Sequence, residues 1–229
     1  METFTFSPKI NKQGFYCPCD TNYFNAWAKY FLFSVKKFAP WAHIHFHIFD
    51  ATAADEEFCK IHGCSFSKEL TPSEFSESLE TKKDFWVNIR FIRLKDIYED
   101  STKVMAVDAD CLLIKPLSSS EFESDTEHSW VTTAKKREQV SLGSAVGFGA
   151  DEARHILSEK LTTFRYTDKF KWCLDQIVMD EMLEQGSLRA FDTKYSDYKM
   201  TEHSVMWTGK GPRKNKTKYQ EKIKEIMGE

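Results

Sequence analysis

The stretch VMAVDADCLLIKPL, residues 104–117, constrains the fold of this chain more than any other segment. It begins with an apolar run, places Asp108 and Asp110 two positions apart, and then returns at once to apolar residues. A short apolar run without polar alternation is typical of a strand in a parallel sheet that is covered on both faces. Ligands of such sheets bind beyond the carboxyl ends of the strands, so we expect the two acids at that edge.

The two aspartates predict a cation site. Side chains at positions i and i+2 of an extended segment point the same way, so the two carboxylates can converge. Carboxylates this close repel each other unless a cation lies between them, and their hard oxygen atoms suit Mg²⁺ or Mn²⁺ with positions left for substrate phosphates. The stretch therefore indicates a divalent cation that holds a diphosphate. The alternative is a pair of surface acids that cap a helix or pair with lysines, because the DxD pattern is short and common.

Strand and helix patterns alternate over the first half of the chain. Strands are predicted in GFYCP (14–18), HIHFHIFD (43–50) and VMAV (104–107), and helices at 24–38, in DEEFCKIHG (55–63) and in KDFWVNIRFIRLKDIY (83–98). Pro40 and Gly63 are expected to end the first two helices. This order predicts a single α/β domain over residues 1–229, with a mostly parallel central sheet flanked by helices.

The second half is less regular, so we expect the sheet to become mixed there. Strands are predicted in SWVTTAKK (129–136), SAVGFGA (144–150) and LRAFD (188–192), and helices in DEARHILSEKLTTF (151–164), in KWCLDQIVMDEMLEQG (171–186) and late in the basic tail GKGPRKNKTKYQEKIKEIMGE (209–229). Gly186 is expected to end the second of these helices.

Charge and hydropathy exclude several classes of protein. The 229 residues carry a formal net charge of -3, which does not suggest a nucleic-acid partner. The longest apolar run is far shorter than the roughly 20 residues of a transmembrane helix. The N-terminus shows no basic segment followed by an apolar one, so no secretory signal is visible and we expect a cytoplasmic protein.

The cysteines and histidines do not form a recognisable metal motif. Without a secretory signal, the six cysteines are expected to be reduced and mostly buried. The alternative is a zinc site in CKIHGC (59–64), but its spacing fits no common zinc pattern. Three histidines lie on one face of the predicted strand HIHFHIFD; we expect them to be hydrogen-bonded on a covered face, with a metal site as the alternative.

The segment NIRFIRLKDIYEDSTKVMAVDADCLLIKPL resembles the core of GT-A glycosyltransferases, particularly glycosyltransferase family 8 and related bacterial and viral enzymes. Their pattern is an arginine on a helix (here Arg90 or Arg93), an apolar strand, a DxD motif and a segment like IKPL. The resemblance implies a Rossmann-like GT-A fold, with a nucleotide-binding half at 1–117 and a sugar and acceptor half at 118–229. It also implies metal-dependent transfer of a sugar, from a nucleotide-diphosphate donor that is expected to be UDP-linked, to an unknown acceptor hydroxyl of a glycan, lipid or protein.

The same resemblance assigns further site residues. In CPCDTNYF, Asp20 and Tyr23 would contact the nucleotide base, although Asp20 can equally cap the helix that follows. In KWCLDQIVMDEML, Asp175 and Gln176 would contact the donor sugar or stabilise the reacting centre; the alternative is ordinary polar residues on an amphipathic helix. Gly143 in SLGSAVGFG would allow an acceptor to approach closely.

The C-terminal segment HSVMWTGKGPRK departs from the family pattern. That pattern has a histidine as a third metal ligand, followed by a glycine and a lysine on the diphosphate. Lys210 and Gly211 match the phosphate-binding part, but Thr208 stands at the usual histidine position, so His203 is the candidate third ligand. The alternative for Lys210 and the lysines and arginine after it is a solvated basic tail. The loop is expected to order over the donor, as lids do.

Three other functions stay open at this point. A nucleotidyltransferase shares the sheet and the metal-diphosphate chemistry, but CPCDTNYF is not the glycine-rich basic loop expected after its first strand. A non-catalytic sugar-nucleotide or glycan binder of the same fold is favoured by Thr208. An α/β protein whose acids are only structural would bind neither nucleotide nor manganese.

Overall fold

The structure is a computed structural model that describes residues 4, 6–133, 141–166, 171 and 173–229, with the backbone alone at 141–143, 165 and 166. Its strands are β1 (Gly14–Asp20), β2 (His43–Phe49), β3 (Ser65–Glu69), β4 (Val104–Val107), β5 (Cys111–Leu113), β6 (Trp130–Thr133), β7 (Ser141–Phe148), β8 (Arg189–Phe191) and β9 (Met206–Thr208). Its α-helices are α1 (Thr21–Tyr23), α2 (Lys29–Phe38), α3 (Ala53–Ile61), α4 (Leu79–Ile97), α5 (Ser119–Asp125), α6 (Ala153–Tyr166), α7 (Leu174–Glu184) and α8 (Thr217–Met227).

Most described strands form one sheet in the order β3-β2-β1-β4-β7-β6-β8. Strands β3, β2, β1 and β4 are parallel, and β6 is parallel to β8. Strand β7 alone runs antiparallel to its neighbours among the described strands of this sheet. The prediction of an α/β fold with a mostly parallel sheet is therefore confirmed, and the sheet becomes mixed in the second half, as expected.

Helices cover both faces of the sheet. On one face, α2, α3 and α5 pack against the apolar side chains of β1 and β2, such as Phe15 and Phe46. On the other face, α4, α6 and α7 bury residues such as Ile89, Leu157 and Val178. Each central strand is therefore buried on both sides, which explains why β4 contains only apolar residues.

The order of the strands creates a crevice between β1 and β4. From β1 the chain builds β2 and β3 on one side, while β4 pairs on the other side, so the direction of winding reverses between β1 and β4. Ligands of open α/β sheets bind at such a switch point. The ladder between β1 and β4 ends at Tyr16, so Pro18, which has no N–H group, breaks no bond on the β4 side.

Local sequence signals mark where several helices begin and end. A π-helical stretch, Phe24–Ala28, joins α1 to α2 into the predicted helix before Pro40. Capping boxes at Thr52 and Ser78 begin α3 and α4. Gly63, with φ +68°, follows α3 and ends it, as predicted. Gly186, with φ +74°, follows α7 in the same way.

Four elements were not predicted from the sequence: β3, β5, β9 and α5. The predicted strand at 129–136 is shorter in the structure, because β6 ends at Thr133 and residues 134–136 lie outside the described residues. None of the helices in the described ranges is both long enough and apolar enough to span a membrane.

The histidines of β2 hydrogen-bond to β3, as expected for a covered face. Ser65 Oγ lies 2.7 Å from His43 Nε2 and 2.8 Å from His45 Nδ1. Ser67 Oγ lies 2.9 Å from His45 Nε2 and 2.7 Å from His47 Nδ1. The two serines thus bond four of the six ring nitrogens, including both of His45, and burial lowers the pKa of His45 well below its usual value.

Candidate functional site

A cavity of about 530 Å³ opens at the carboxyl ends of β1, β2 and β4. Its lining contains nine of the ten residues predicted to bind the donor or the metal: Asp20, Tyr23, Arg90, Asp108, Asp110, Asp175, Gln176, Lys210 and Gly211. These residues come from five separate parts of the sequence. The fold therefore brings together at the switch point the residues that the motifs singled out, while the tenth, His203, is not part of the lining.

Asp110 is the most deeply buried of the acidic pair. Its carbonyl oxygen accepts hydrogen bonds of 2.8 Å from Gly209 N and from Tyr219 Oη. Its carboxylate oxygen Oδ2 lies 3.5 Å from Lys214 Nζ, whereas Oδ1 is buried and has no hydrogen-bond partner among the described residues. Burial and the neighbouring Asp108 raise the pKa of Asp110 to about 6. A buried carboxylate oxygen of this kind could hold a cation.

Arg90 connects the DxD motif to helix α7. Its guanidinium donates 2.7 Å to Asp108 Oδ1 and 3.0 Å to Asp175 Oδ2. Burial alone would lower the pKa of Arg90, but the two carboxylates raise it, so the guanidinium is charged. Of the two arginines considered from the sequence, Arg90 thus faces the cavity, while Arg93 pairs with Glu69 near the end of β3.

Asp175 lies in the first turn of α7, where the positive end of the helix dipole favours a carboxylate. It is 1% exposed, and its burial raises the pKa of its carboxyl group against the effect of Arg90. The residue that precedes the helix, Cys173, has a left-handed backbone (φ +68°) and also lines the cavity. Gln176 follows Asp175 in the helix and is partly exposed to the same cavity.

Asp20 caps the helix that follows β1. Its Oδ1 accepts hydrogen bonds from Asn22 N (2.8 Å) and Tyr23 N (3.2 Å), so the capping alternative is confirmed. The same residue lines the cavity, which leaves a second role compatible with the first. Tyr23 is 40% exposed, and its hydroxyl accepts a 2.7 Å hydrogen bond from Lys214 Nζ.

The basic tail divides into an inner and an outer part. Lys210 lines the cavity; burial alone would lower its pKa, but Asp108 raises it, so the ammonium group is charged. Lys214 reaches inward to Tyr23 and Asp110, and its ammonium group lies 4.4 Å from the Tyr23 ring centroid. Arg213 is exposed and stacks on the ring of Tyr198. The alternative of a solvated basic tail therefore describes Arg213 but not the two lysines.

The third metal ligand predicted from the sequence is not brought to the aspartates. His203 is exposed and lies outside the cavity lining. Thr208 is fully buried in β9, opposite Cys111, and its hydroxyl lies 3.5 Å from Cys111 Sγ. Within the described ranges, no three or more histidine, cysteine, aspartate or glutamate side chains gather as a metal site, and this includes the segment CKIHGC.

One wall of the cavity was not predicted from the sequence. This wall consists of Phe49 at the end of β2 and of Leu79, Lys83, Trp86 and Val87 on α4. The α4 residues recur every three or four positions in register with Arg90, so they share one helix face. That spacing is the sequence signal that could have identified this wall.

Gly143, predicted near an acceptor, lies in β7 immediately before Ser144. The carbonyl oxygen of Ser144 accepts a 3.0 Å hydrogen bond from Asp108 N.

Comparison with known proteins identifies the fold. No protein-family model and no curated protein matches the chain. Among solved structures, a crystal structure of an active-site mutant of LgtC matches with a TM-score of 0.60, over 94% of this chain and 95% of that one, at 13% sequence identity. LgtC is a GT-A glycosyltransferase of family 8. The α/β architecture described above is therefore the GT-A glycosyltransferase fold.

Proposed function

We propose that this protein is a metal-dependent glycosyltransferase that moves a sugar from a nucleotide-diphosphate sugar, expected to be a UDP-sugar, to an acceptor hydroxyl. The observation that carries the proposal is the convergence of Asp108, Asp110, Asp175 and Lys210 on one cavity at the switch point of the sheet. Such a donor carries negative charge on its diphosphate and gains positive charge on its sugar as the bond breaks. A cavity with both signs of charge suits that substrate.

The acidic pair fits a hard divalent cation. Asp110 Oδ1 is buried without a hydrogen-bond partner among the described residues, and a second carboxylate, Asp108, lies two residues away. One or two carboxylates together with phosphate oxygens are a usual ligand set for Mg²⁺ and Mn²⁺. Asp108 and Asp110 would hold the ion, without His203, which is exposed outside the cavity. A cation held there would neutralise charge on the departing diphosphate.

Two lysines would add positive charge next to the diphosphate. Lys210 lines the cavity, and Lys214 lies 3.5 Å from Asp110 Oδ2. Their ammonium groups can move onto phosphate oxygens by rotation of flexible side chains. Gly211, with φ +66°, provides the turn that follows Lys210. In this proposal the segment that carries both lysines stabilises the leaving group.

Asp175 and Gln176 act on the sugar side in this proposal. The carboxylate of Asp175 favours the positive charge that develops at the anomeric carbon, and Arg90 holds that carboxylate in place through a 3.0 Å hydrogen bond. Gln176 would orient the sugar by hydrogen bonds to its hydroxyl groups. Asp20 and Tyr23 would contact the base, and the acceptor would enter from the side of Gly143.

A second candidate function, a non-catalytic sugar-nucleotide or glycan binder of the same fold, is favoured by one observation. Thr208, which replaces the histidine of the family pattern, is fully buried and hydrogen-bonded to its neighbours instead of lining the cavity. A protein that binds the donor without turning it over could do without that ligand.

Calorimetric titration tests the proposal. UDP and GDP are titrated with and without Mn²⁺ into the wild type and into Asp110→Asn. Turnover is then measured as the release of nucleoside diphosphate from a panel of sugar-nucleotide donors. We expect Mn²⁺-dependent binding of one nucleotide in the wild type, loss of at least tenfold in affinity in Asp110→Asn, and turnover of one donor. Binding without turnover of any donor would favour the non-catalytic binder, and absence of binding by either nucleotide would refute both the glycosyltransferase and the sugar-nucleotide binder.

A further inference from the structure

One face of α4 forms a wall of the cavity beyond the charged centre. Leu79, Lys83, Trp86, Val87 and Arg90 line the cavity and lie on the same side of the helix. Arg90 stands at the charged end of this row, because it binds Asp108 and Asp175. At 1.5 Å per residue, Trp86 lies about 6 Å along the helix from Arg90 and Leu79 about 16 Å. Trp86 is therefore about one helical turn from Arg90, on the same wall of the cavity.

The indole of Trp86 is fixed by the protein. Its Nε1 donates a 2.8 Å hydrogen bond to Thr71 Oγ1. Thr71 is held in turn by Asp50, whose carboxylate accepts 2.8 Å hydrogen bonds from the Thr71 backbone N–H and hydroxyl. The only polar atom of the indole is thus used inside the protein. What Trp86 can offer a ligand is the surface of its aromatic ring, held in one orientation.

A second aromatic residue supports this ring. Phe49 stacks with Trp86 at an interplanar angle of 18° and a centroid distance of 6.1 Å, and it is itself 1% exposed. Phe49 is also the register partner of Asp20 across the parallel ladder of β1 and β2. Neighbouring strands lie about 4.8 Å apart, so the Trp86–Phe49 pair flanks the residue proposed to contact the base.

We propose that Trp86 is the stacking platform for the heteroaromatic base of the donor nucleotide. The inference rests on the proposed function and adds to it a residue that binds the base. A planar base fits the rigid ring through its π face, which every base possesses, while Asp20 provides a polar contact at its edge. If the ring served only to pack the core, its removal would weaken the binding of a nucleotide and of pyrophosphate equally.

The experiment separates base binding from diphosphate binding. Trp86→Leu removes the aromatic face and keeps an apolar side chain, and Trp86→Phe restores an aromatic face. UDP, GDP and inorganic pyrophosphate are titrated with Mn²⁺ into both variants and into Glu80→Ala, an exposed change on the same helix. For the nucleotide that the wild type binds, we expect Trp86→Leu to weaken binding about 10- to 100-fold. Pyrophosphate affinity should change less than about twofold, because its subsite does not include the ring, and Trp86→Phe should recover most of the loss.

Results that contradict the stacking platform can be told apart from results that contradict the proposed function. Nucleotide affinity in Trp86→Leu equal to that of Glu80→Ala would overturn the stacking platform and leave the proposed function standing. Equal weakening of nucleotide and pyrophosphate would also overturn it, since the ring would then serve only the shape of the cavity. Failure of the wild type to bind either nucleotide, or pyrophosphate, would remove the proposed function itself.

Discussion

At the scale of single residues, Asp110 shows a conflict between stability and function. Its side chain is 5% exposed, one oxygen faces Lys214 at 3.5 Å, and the other is buried without a hydrogen bond in the described part of the chain. A buried charge with so few partners destabilises the fold when no cation is bound. Sites kept for ligand binding often carry such a cost, which a neutral substitution reveals.

We therefore expect Asp110→Asn to be more stable than the wild type in the presence of EDTA. The neutral amide has a similar shape and is less costly to bury, so the free energy of unfolding should rise by about 1–3 kcal/mol at pH 7.5, measured by urea denaturation. Lys214→Met should instead lower the free energy of unfolding, because it removes the positive charge that lies near the carboxylate. An Asp110→Asn variant that unfolds at lower urea than the wild type would show that the carboxylate is well compensated in the metal-free protein.

At the scale of elements, Glu69 joins β2, β3 and α4. The residue ends β3 and accepts a 2.8 Å hydrogen bond from Arg93 Nε on α4, and His47 Nε2 on β2 lies 3.3 Å from Glu69 Oε2. Burial alone would raise the pKa of Glu69, but the hydrogen bonds from Arg93 and His47 lower it to about 2. These contacts hold α4, and with it the cavity wall, against the edge of the sheet.

This pKa predicts how stability depends on pH. The pKa of Glu69 falls from a usual 4.5 to about 2, so its ionised form stabilises the fold fully above about pH 4.5 and the effect is lost as the pH falls towards 2. The difference corresponds to about 3 kcal/mol. We expect Glu69→Gln to lose most of this stabilisation at pH 6. Near pH 2 its free energy of unfolding should approach that of the wild type, as measured by urea denaturation across that range. Glu56→Gln, which breaks the more exposed pair with Lys68, should cost less than about 1 kcal/mol, and an equal effect of both variants would contradict the assignment.

The elements also show what sequence patterns can and cannot give. Strand β4 and helix α7 were predictable because an apolar run and a helical repeat that ends at a glycine are local signals. Strand β3 was missed because Ser65 and Ser67 place polar side chains on a covered face, where they hydrogen-bond to the histidines of β2. Strands β5 and β9 are three residues each, too short for any periodicity, and they exist because they pair with each other across the chain.

At the scale of the whole molecule, the cavity is closed by contacts between distant parts of the chain. Lys214 Nζ donates to Tyr23 Oη although 191 positions separate the two residues, and Tyr219 Oη donates to the carbonyl oxygen of Asp110 across 109 positions. Gly209 packs so closely here that a Cβ atom would lie 2.9 Å from the Tyr219 ring. The motifs identified Asp110 and the basic tail, but the contact between Lys214 and Asp110 depends on packing across 104 positions, which no local pattern shows.

Helix α8 should therefore help to position the proposed donor site, because Tyr219 bonds directly to Asp110. Its residues Tyr219, Ile223 and Ile226 are buried in one apolar cluster with Leu112 and Trp207. We expect Tyr219→Phe to reduce the free energy of unfolding by about 1 kcal/mol, because a buried hydrogen bond to Asp110 is lost. Mn²⁺-dependent UDP binding, measured by calorimetry, should weaken several-fold, because the DxD loop and the lysine segment lose a shared anchor. Glu221→Ala, on the exposed face of the same helix, should change neither quantity. A Tyr219→Phe variant with reduced stability and wild-type UDP affinity would show that α8 supports the fold without positioning the site.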